Sequence, residues 1–191
     1  MKIAYDGTNF SGWQIQKNKR TIQGEIEKAI TTVFKSKSQI IIYGAGRTDS
    51  GVHSSGQVAH FDIDTNRDLD AIKNSINSRL DDDCKILMVK RVNDDFHARF
   101  DAKSREYIYQ CYSGESLLFK NQSWYTKELN IAKLNFLANF IKGDHDFLSY
   151  SKFKTPLTLV PAFCGNTVLL GSLCLFKCVT PTDPDTVRLL A

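Results

Sequence analysis

Disulfide chemistry is what this sequence has least material for. Its five cysteines, at 84, 111, 164, 174 and 178, are odd in number and contain no C-x-x-C pair. That argues against a disulfide framework and against an ordinary zinc site. An excess of one charge sign is also lacking: 25 basic residues stand against 21 acidic ones, and the net charge of +4 permits an anionic partner without naming one. No long hydrophobic run is present. The most apolar stretch, 160–176, is short and interrupted by Pro161, Gly165, Asn166 and Gly171, so a membrane span is not expected. Lys2 and Asp6 break the N-terminus before any apolar run forms. No signal peptide is therefore expected, and the predicted setting is soluble, reducing and cytoplasmic. Proline is missing from the first 155 residues; all four lie at 156, 161, 181 and 184.

What is there is periodic. At 191 residues the chain can bury the core of one or two small domains. Residues 2–5 read as a short strand. Thr21 can cap a helix reaching about Lys35, because Ile22, Ile26, Ala29, Ile30, Val33 and Phe34 form an apolar stripe at helical spacing. Strands are predicted over 40–43 and 57–63, a second helix over 69–80 and a further strand over 84–92. The order β-α-β-β-α-β is that of the ferredoxin-like, split β-α-β motif, and the fold class is α+β. A second unit then starts, with a strand over 105–112. Asn130 can cap a helix to Ile141 with Ile131, Leu134, Leu137, Ala138 and Ile141 inward. The expected organisation is a first domain over 1–100, a partial second α/β domain over 101–154, and an atypical tail over 155–191.

The segment Gly44-Ala45-Gly46-Arg47-Thr48-Asp49-Ser50-Gly51-Val52-His53 carries the chemistry. It sets an arginine and an aspartate two residues apart between glycines, just after an apolar run. Glycines let the backbone turn sharply and approach a ligand closely, and a loop on rigid flanks is a common setting for catalytic groups. Taken alone, a solvated turn with a surface ion pair explains it as well.

The longer string GAGRTDSGVHSSGQVAHF, residues 44–61, resembles the signature of the TruA-type tRNA pseudouridine synthases, in their bacterial form. The segment 1–14, Thr21-Ile22-Gln23-Gly24-Glu25, Phe96-His97-Ala98-Arg99-Phe100 and Gly143-Asp144-His145-Asp146-Phe147 resemble further family segments, in family order, over residues 1 to about 150. The resemblance implies that Asp49 is the catalytic nucleophile and that Arg47 pairs with it and helps move the target base out of the RNA. Tyr107 aligns with the tyrosine that stacks on the target uracil, and Tyr109 and Tyr112 are the alternatives if the register differs. Phe96, His97, Ala98, Arg99 and Phe100 are implied RNA contacts. Alternation there would bury the two phenylalanines and leave His97 and Arg99 on the other side. Lys17, Lys19 and Arg20 form a basic loop that either binds phosphate or is solvated surface. His53, His60 and His145 read as structural groups. The resemblance also implies an anticodon stem–loop substrate, a homodimer, and neither metal nor organic cofactor.

After about Lys154 the pattern changes. Only four of 37 residues are charged there, Lys177, Asp183, Asp185 and Arg188. The family's GNxFLxxMVR-like segment is matched only superficially by 165–170, which lacks the Met-Val-Arg continuation. A truncated or frameshifted tail is the favoured reading and a divergent folded half the other. Two function classes follow: a tRNA uridine-to-pseudouridine isomerase, and a truncated RNA-binding paralogue without turnover.

Overall fold

The computed structural model describes residues 1–113 and 120–141, together with the backbone at 163–164, 168–170, 173–180 and 187–190. The loop at 143–147 with His145 lies outside the described residues, as does most of the stretch 155–191. The chain divides into two compact units, Met1–Ala102 with Val187–Leu189, and Lys103–Thr186 with Leu190–Ala191.

The first unit runs β1 (Lys2–Tyr5), a single 3-10 turn (Gly7–Asn9), α1 (Ile22–Val33), β2 (Tyr43–Gly44), β3 (His53–His60), α2 (Leu69–Asn77) and β4 (Cys84–Met88). The strands lie in the order β4–β1–β3–β2, and every neighbour pair is antiparallel. Thr21 begins α1 by accepting the Gly24 N–H, and Asp68 begins α2 by accepting the Ala71 N–H at 2.8 Å. Each cap satisfies a donor that the first helical turn leaves open. Ile22, Ile26 and Ile30 of α1 and Ile72 and Ile76 of α2 are buried with Ile3 of β1 and Ile86 of β4. Each such side chain contributes roughly 1.5–3 kcal/mol of burial, so this is the layer that holds the site's scaffold rigid.

The structure moves several predicted boundaries, each for a local reason. The strand expected over 40–43 shrinks to Tyr43–Gly44. Its backbone groups are claimed by α1 instead: Ile42 N–H donates to the Glu27 carboxylate at 3.0 Å, Ile40 N–H to Thr31 Oγ1 at 3.0 Å, and Gln23 donates to the Ile42 carbonyl at 3.3 Å. The strand expected over 57–63 runs over 53–60. It reaches back because Tyr5 of β1 faces Ser54, and its last ladder partner is Tyr43 opposite His60. The strand expected over 84–92 ends at Met88, which faces Lys2, the first residue of β1. The second helix stops at Asn77 rather than Leu80. Asn77 exchanges both hydrogen bonds of its carboxamide with the Ile86 peptide, at 2.9 and 2.7 Å, and side chains that bond backbone in this way compete with helix.

In the second unit β5 (Arg105–Tyr112) pairs in parallel with β6 (Trp124–Tyr125) and antiparallel with β9 (Leu173–Thr180) along its whole length. β9 in turn pairs with β7 (Phe163–Cys164) and β8 (Val168–Leu170). The last strand, β10 (Val187–Leu190), has its first three residues in the first unit. α3 (Ile131–Ile141) is capped by Asn130, which accepts the Lys133 N–H at 2.9 Å. Leu137, expected inward, is exposed together with Phe136 and Phe140. The helix is apolar nearly all round, so spacing alone could not choose its face. Among the described residues no helix is long and apolar enough to cross a membrane.

Candidate active site

The loop between β2 and β3 is seated on three other segments of the first unit. Ala45 N–H donates to the Val58 carbonyl at 2.8 Å and prolongs the β2–β3 ladder. The Gln57 side chain, fully buried, donates to the Gly46 carbonyl at 2.8 Å. Thr48 is held twice: its carbonyl accepts the Trp13 N–H at 3.0 Å, and its hydroxyl shares a 3.0 Å hydrogen bond with the Tyr5 hydroxyl. Farther on, the Ser50 hydroxyl donates to the Phe10 carbonyl at 3.1 Å, and Val52 N–H closes a turn on the Asp49 carbonyl at 3.3 Å.

These anchors decide which side chains project. Ala45 and Thr48 are drawn into the interior, while Arg47, Asp49 and Ser50 are exposed. The four ion pairs among the described residues, Arg20–Asp81, Arg20–Asp83, His53–Asp6 and Lys73–Asp70, leave Arg47 and Asp49 out. A guanidinium and a carboxylate therefore stand two residues apart on a clamped loop, both presented to solvent.

Close approach is what requires glycine here. Gly12 has φ +91°, and a Cβ added to it would lie 2.6 Å from the Thr48 carbonyl oxygen. A Cβ on Gly44 would lie 2.6 Å from the Trp13 ring. Gly51 also has a left-handed φ of +81°, but open space surrounds its Cα. None of Tyr5, Phe10, Trp13 and Gln57 was read from the sequence as supporting the loop. Tyr5, Phe10 and Trp13 fall inside the opening segment 1–14, whose role in seating another loop no local pattern reveals.

At the flank of the loop His53 meets the opening segment. Its Nδ1 lies 3.0 Å from Asp6 Oδ1 and 3.2 Å from the Gly7 N–H. Burial pushes the Asp6 carboxyl up, but hydrogen bonds from Thr8 and the neighbouring His53 outweigh it, so its pKa falls below the usual value. Burial pushes the Tyr5 phenol up to about 12, against the opposing hydrogen bond from Thr48. Tyr5 therefore stays neutral and acts as a fixed prop.

The remaining predicted site residues separate. Lys17 and Lys19 are exposed. Arg20 is engaged elsewhere: it bonds Asp83 at 2.7 and 2.9 Å and Asp81 at 2.9 Å, and lies 4.0 Å over the Phe10 ring. Its charge is taken up in holding the turn before β4 against the opening loop. Residues 96–100 are not extended. Two turns, closed by Phe96 N–H to Asn93 and Phe100 N–H to His97 at 3.0 Å each, replace the expected alternation. As a result Ala98 is the buried residue, His97 is half-buried, and Phe100 is 77% exposed. Arg99 is exposed as expected. His60 fixes the segment by accepting the Ala98 N–H at 3.1 Å.

In the second unit Tyr107 is half-buried on β5 and Tyr109 is exposed. Tyr112 is buried with its ring 5.4 Å from that of Tyr125, so it is a packing residue. Tyr107 and Tyr109 lie on one face of the strand.

Comparison with known proteins gives the family of the chain. A family model described as tRNA pseudouridine synthase matches residues 1–101. Among curated proteins, tRNA pseudouridine synthase A of Pseudothermotoga lettingae is 42% identical over 153 residues, 78% of this chain and 62% of that protein. The protein of the same name from Borrelia turicatae is 46% identical over 153 residues, with the same coverage, and that of Geobacillus kaustophilus 40% over 158 residues, 81% of this chain and 61% of that protein. The chain thus spans about three fifths of the length of the curated relatives it matches. The loop that presents Arg47 and Asp49 falls inside the matched region, and the chain belongs to the tRNA pseudouridine synthase family.

Proposed function

We propose that this chain carries the nucleophile-bearing part of a tRNA uridine-to-pseudouridine isomerase. The observation that supports this most is the pair Arg47 and Asp49, both exposed on a loop whose intervening Thr48 is fixed from two sides. The reaction is an isomerisation. The bond from the sugar's C1′ to N1 of uracil breaks, the base turns, a bond from C1′ to C5 forms, the C5 hydrogen leaves as a proton and N1 takes one up. The base must first leave the stack. Asp49 is the attacking carboxylate, acting on either the sugar or the base. Arg47, exposed and unpaired with Asp49 in the free chain, can close on the carboxylate once a base covers it, or turn its planar guanidinium to a phosphate as RNA enters. Tyr107 offers a ring face to the target base. Lys17, Lys19, Arg99 and the 96–100 segment are RNA contacts.

The β4–β1–β3–β2 antiparallel order with two helices supports assigning the first unit to the ferredoxin-like, split β-α-β fold. The proposed organisation is a domain over 1–100, a partial second domain over 101–154, and a tail over 155–191 that departs from the family. The proposed partners are the tRNA anticodon stem–loop and a second copy of the chain, and the proposed setting is the cytoplasm. A second reading, RNA binding without turnover by these 191 residues, draws on their spanning 61–62% of the relatives' length, because positioning supplies much of an enzyme's rate.

The test is Asp49→Asn, made in this chain and in a version extended with a relative's remaining segment, with release of hydrogen from C5 of uridine in a tRNA transcript as readout. The extended protein is expected to turn over, and its Asp49→Asn variant to be inactive while still binding tRNA. Near-normal turnover of that variant refutes the assignment. Turnover by the unextended chain removes the second reading.

A further inference from the structure

The first unit carries a column of rings that the loop chemistry does not use. Tyr43 of β2 stacks on His60 of β3 with ring centroids 5.1 Å apart and an interplanar angle of 21°. His60 meets His97 edge to face, at 4.7 Å and 64°, and His97 meets Phe100 at 4.4 Å with a 32° tilt. Both imidazoles are fixed by their Nδ1 atoms, His60 accepting from Ala98 N–H and His97 from Arg99 N–H at 3.2 Å. Asp101 Oδ2 accepts the His97 N–H at 2.6 Å and locks the turn. The column begins in the sheet and ends on one ring, Phe100, that is 77% exposed. His97 backs the Phe100 ring from one side and leaves its other face open. Exposed Arg99 lies beside it, its Cζ 6.0 Å from the Phe100 centroid.

We infer that the open face of Phe100 is a stacking subsite for an unpaired nucleobase, with His97, His60 and Tyr43 as its rigid support and Arg99 for the adjoining phosphate. This rests on the RNA reading above, which already places residues 96–100 against RNA, and adds to it the mode of contact and the ring that makes it. A nucleobase fits better than an apolar protein partner because the exposed element is a single π face beside a cation, the combination that single-stranded RNA sites use. Tyr43 and His60 do not bind in this account. They are positioning residues that keep the last ring in place.

The experiment uses the 191-residue chain with two fluorescent probes: decauridylate, and an abasic ribose-phosphate oligomer of the same length. Phe100→Ala is expected to weaken decauridylate binding about 5- to 150-fold and to leave binding of the abasic oligomer unchanged. Phe100→Leu, which keeps bulk and loses the π face, should resemble Phe100→Ala, and Phe100→Trp should restore affinity. A change under about two-fold in Phe100→Ala, or an equal loss on both probes, overturns the subsite while leaving RNA binding intact. Failure of the unaltered chain to bind either probe overturns the RNA reading and the subsite together.

Discussion

Replacing Gly12 by alanine tests whether the catalytic loop is seated by close backbone approach. Two costs add at this position. Alanine at φ +91° is strained by about 1–2 kcal/mol. The new methyl would also sit 2.6 Å from the Thr48 carbonyl oxygen and 3.2 Å from the Asp49 carbonyl carbon. These are backbone atoms, so one of the two segments must shift, and such overpacking costs about 1–3 kcal/mol more. The Trp13 N–H bond to the Thr48 carbonyl is the first contact to stretch. Gly51→Ala is the control, because Gly51 has φ +81° but nothing within 4 Å. It carries the strain without the clash, about 1–2 kcal/mol. Urea unfolding measures the difference, with fluorescence of Trp13, buried at 3% exposure, as the reporter after the exposed Trp124 is changed to phenylalanine. The expected loss is about 2–5 kcal/mol for Gly12→Ala, against the smaller value for Gly51→Ala. A displacement of the loop by about 1 Å also lowers turnover of the extended enzyme about 100-fold. Equal losses for the two glycines would refute the argument that Gly12 is needed for proximity.

Three further outcomes follow from other contacts. Thr48→Val removes one of the hydrogen bonds of the buried Tyr5 hydroxyl, which keeps Gln57 and Ser54 as partners, and should cost about 0.5–1.5 kcal/mol in the same urea assay; a loss under about 0.2 kcal/mol refutes the prop. Stability should fall in alkali, since burial pushes both the Cys84 thiol and the Tyr5 phenol up to about 12. The unfolded chain gives up these protons from about 9 and 10 while the folded chain keeps them. The contribution is thus whole below about pH 9 and lost by about pH 12, falling by about 1.4 kcal/mol per pH unit for each group, and a flat urea midpoint between about pH 9 and 11 contradicts it. Affinity for tRNA should fall with salt; if about 3–5 phosphates are neutralised the log–log slope is about −3 to −4.5, and a salt-independent affinity tells against an RNA ligand.

The helices were legible because their information is local. Thr21 and Asn130, read as caps, do cap the first and third, and in the first two, isoleucines at helical spacing face the core. The strand from Arg105 to Tyr112 was legible for the same reason. The strand at 40–43 misled, because Ile40–Ile42 looks like strand by composition while Glu27 and Thr31, on a helix nine or more residues away, take its amide donors. The 53–60 strand was hidden at its start by Ser54, Ser55 and Gly56, which have little strand preference and pair only because β1 lies beside them. At the site, Arg47 and Asp49 stood out by residue type and glycine context. Their seat did not, because it is made of carbonyls and N–H groups at residues 10 to 13, and main-chain donors carry no sequence signature. Phe100 resisted reading because alternation suggests burial where two turns expose the ring.

The turn from Gly7 to Trp13 meets the loop mostly through peptide groups: the Phe10 carbonyl, the Trp13 N–H and the bare Cα of Gly12. Such a seat measures distance along the chain more strictly than it measures chemistry. Exposed Thr8 and Asn9, and half-exposed Ser11, are positions where many side chains should be interchangeable across a library of variants. A single inserted or deleted residue between 8 and 12 is different. It would turn the Trp13 N–H away from Thr48 and unseat Asp49 with no change in composition. In this turn, drift in sequence is tolerated and drift in length is not.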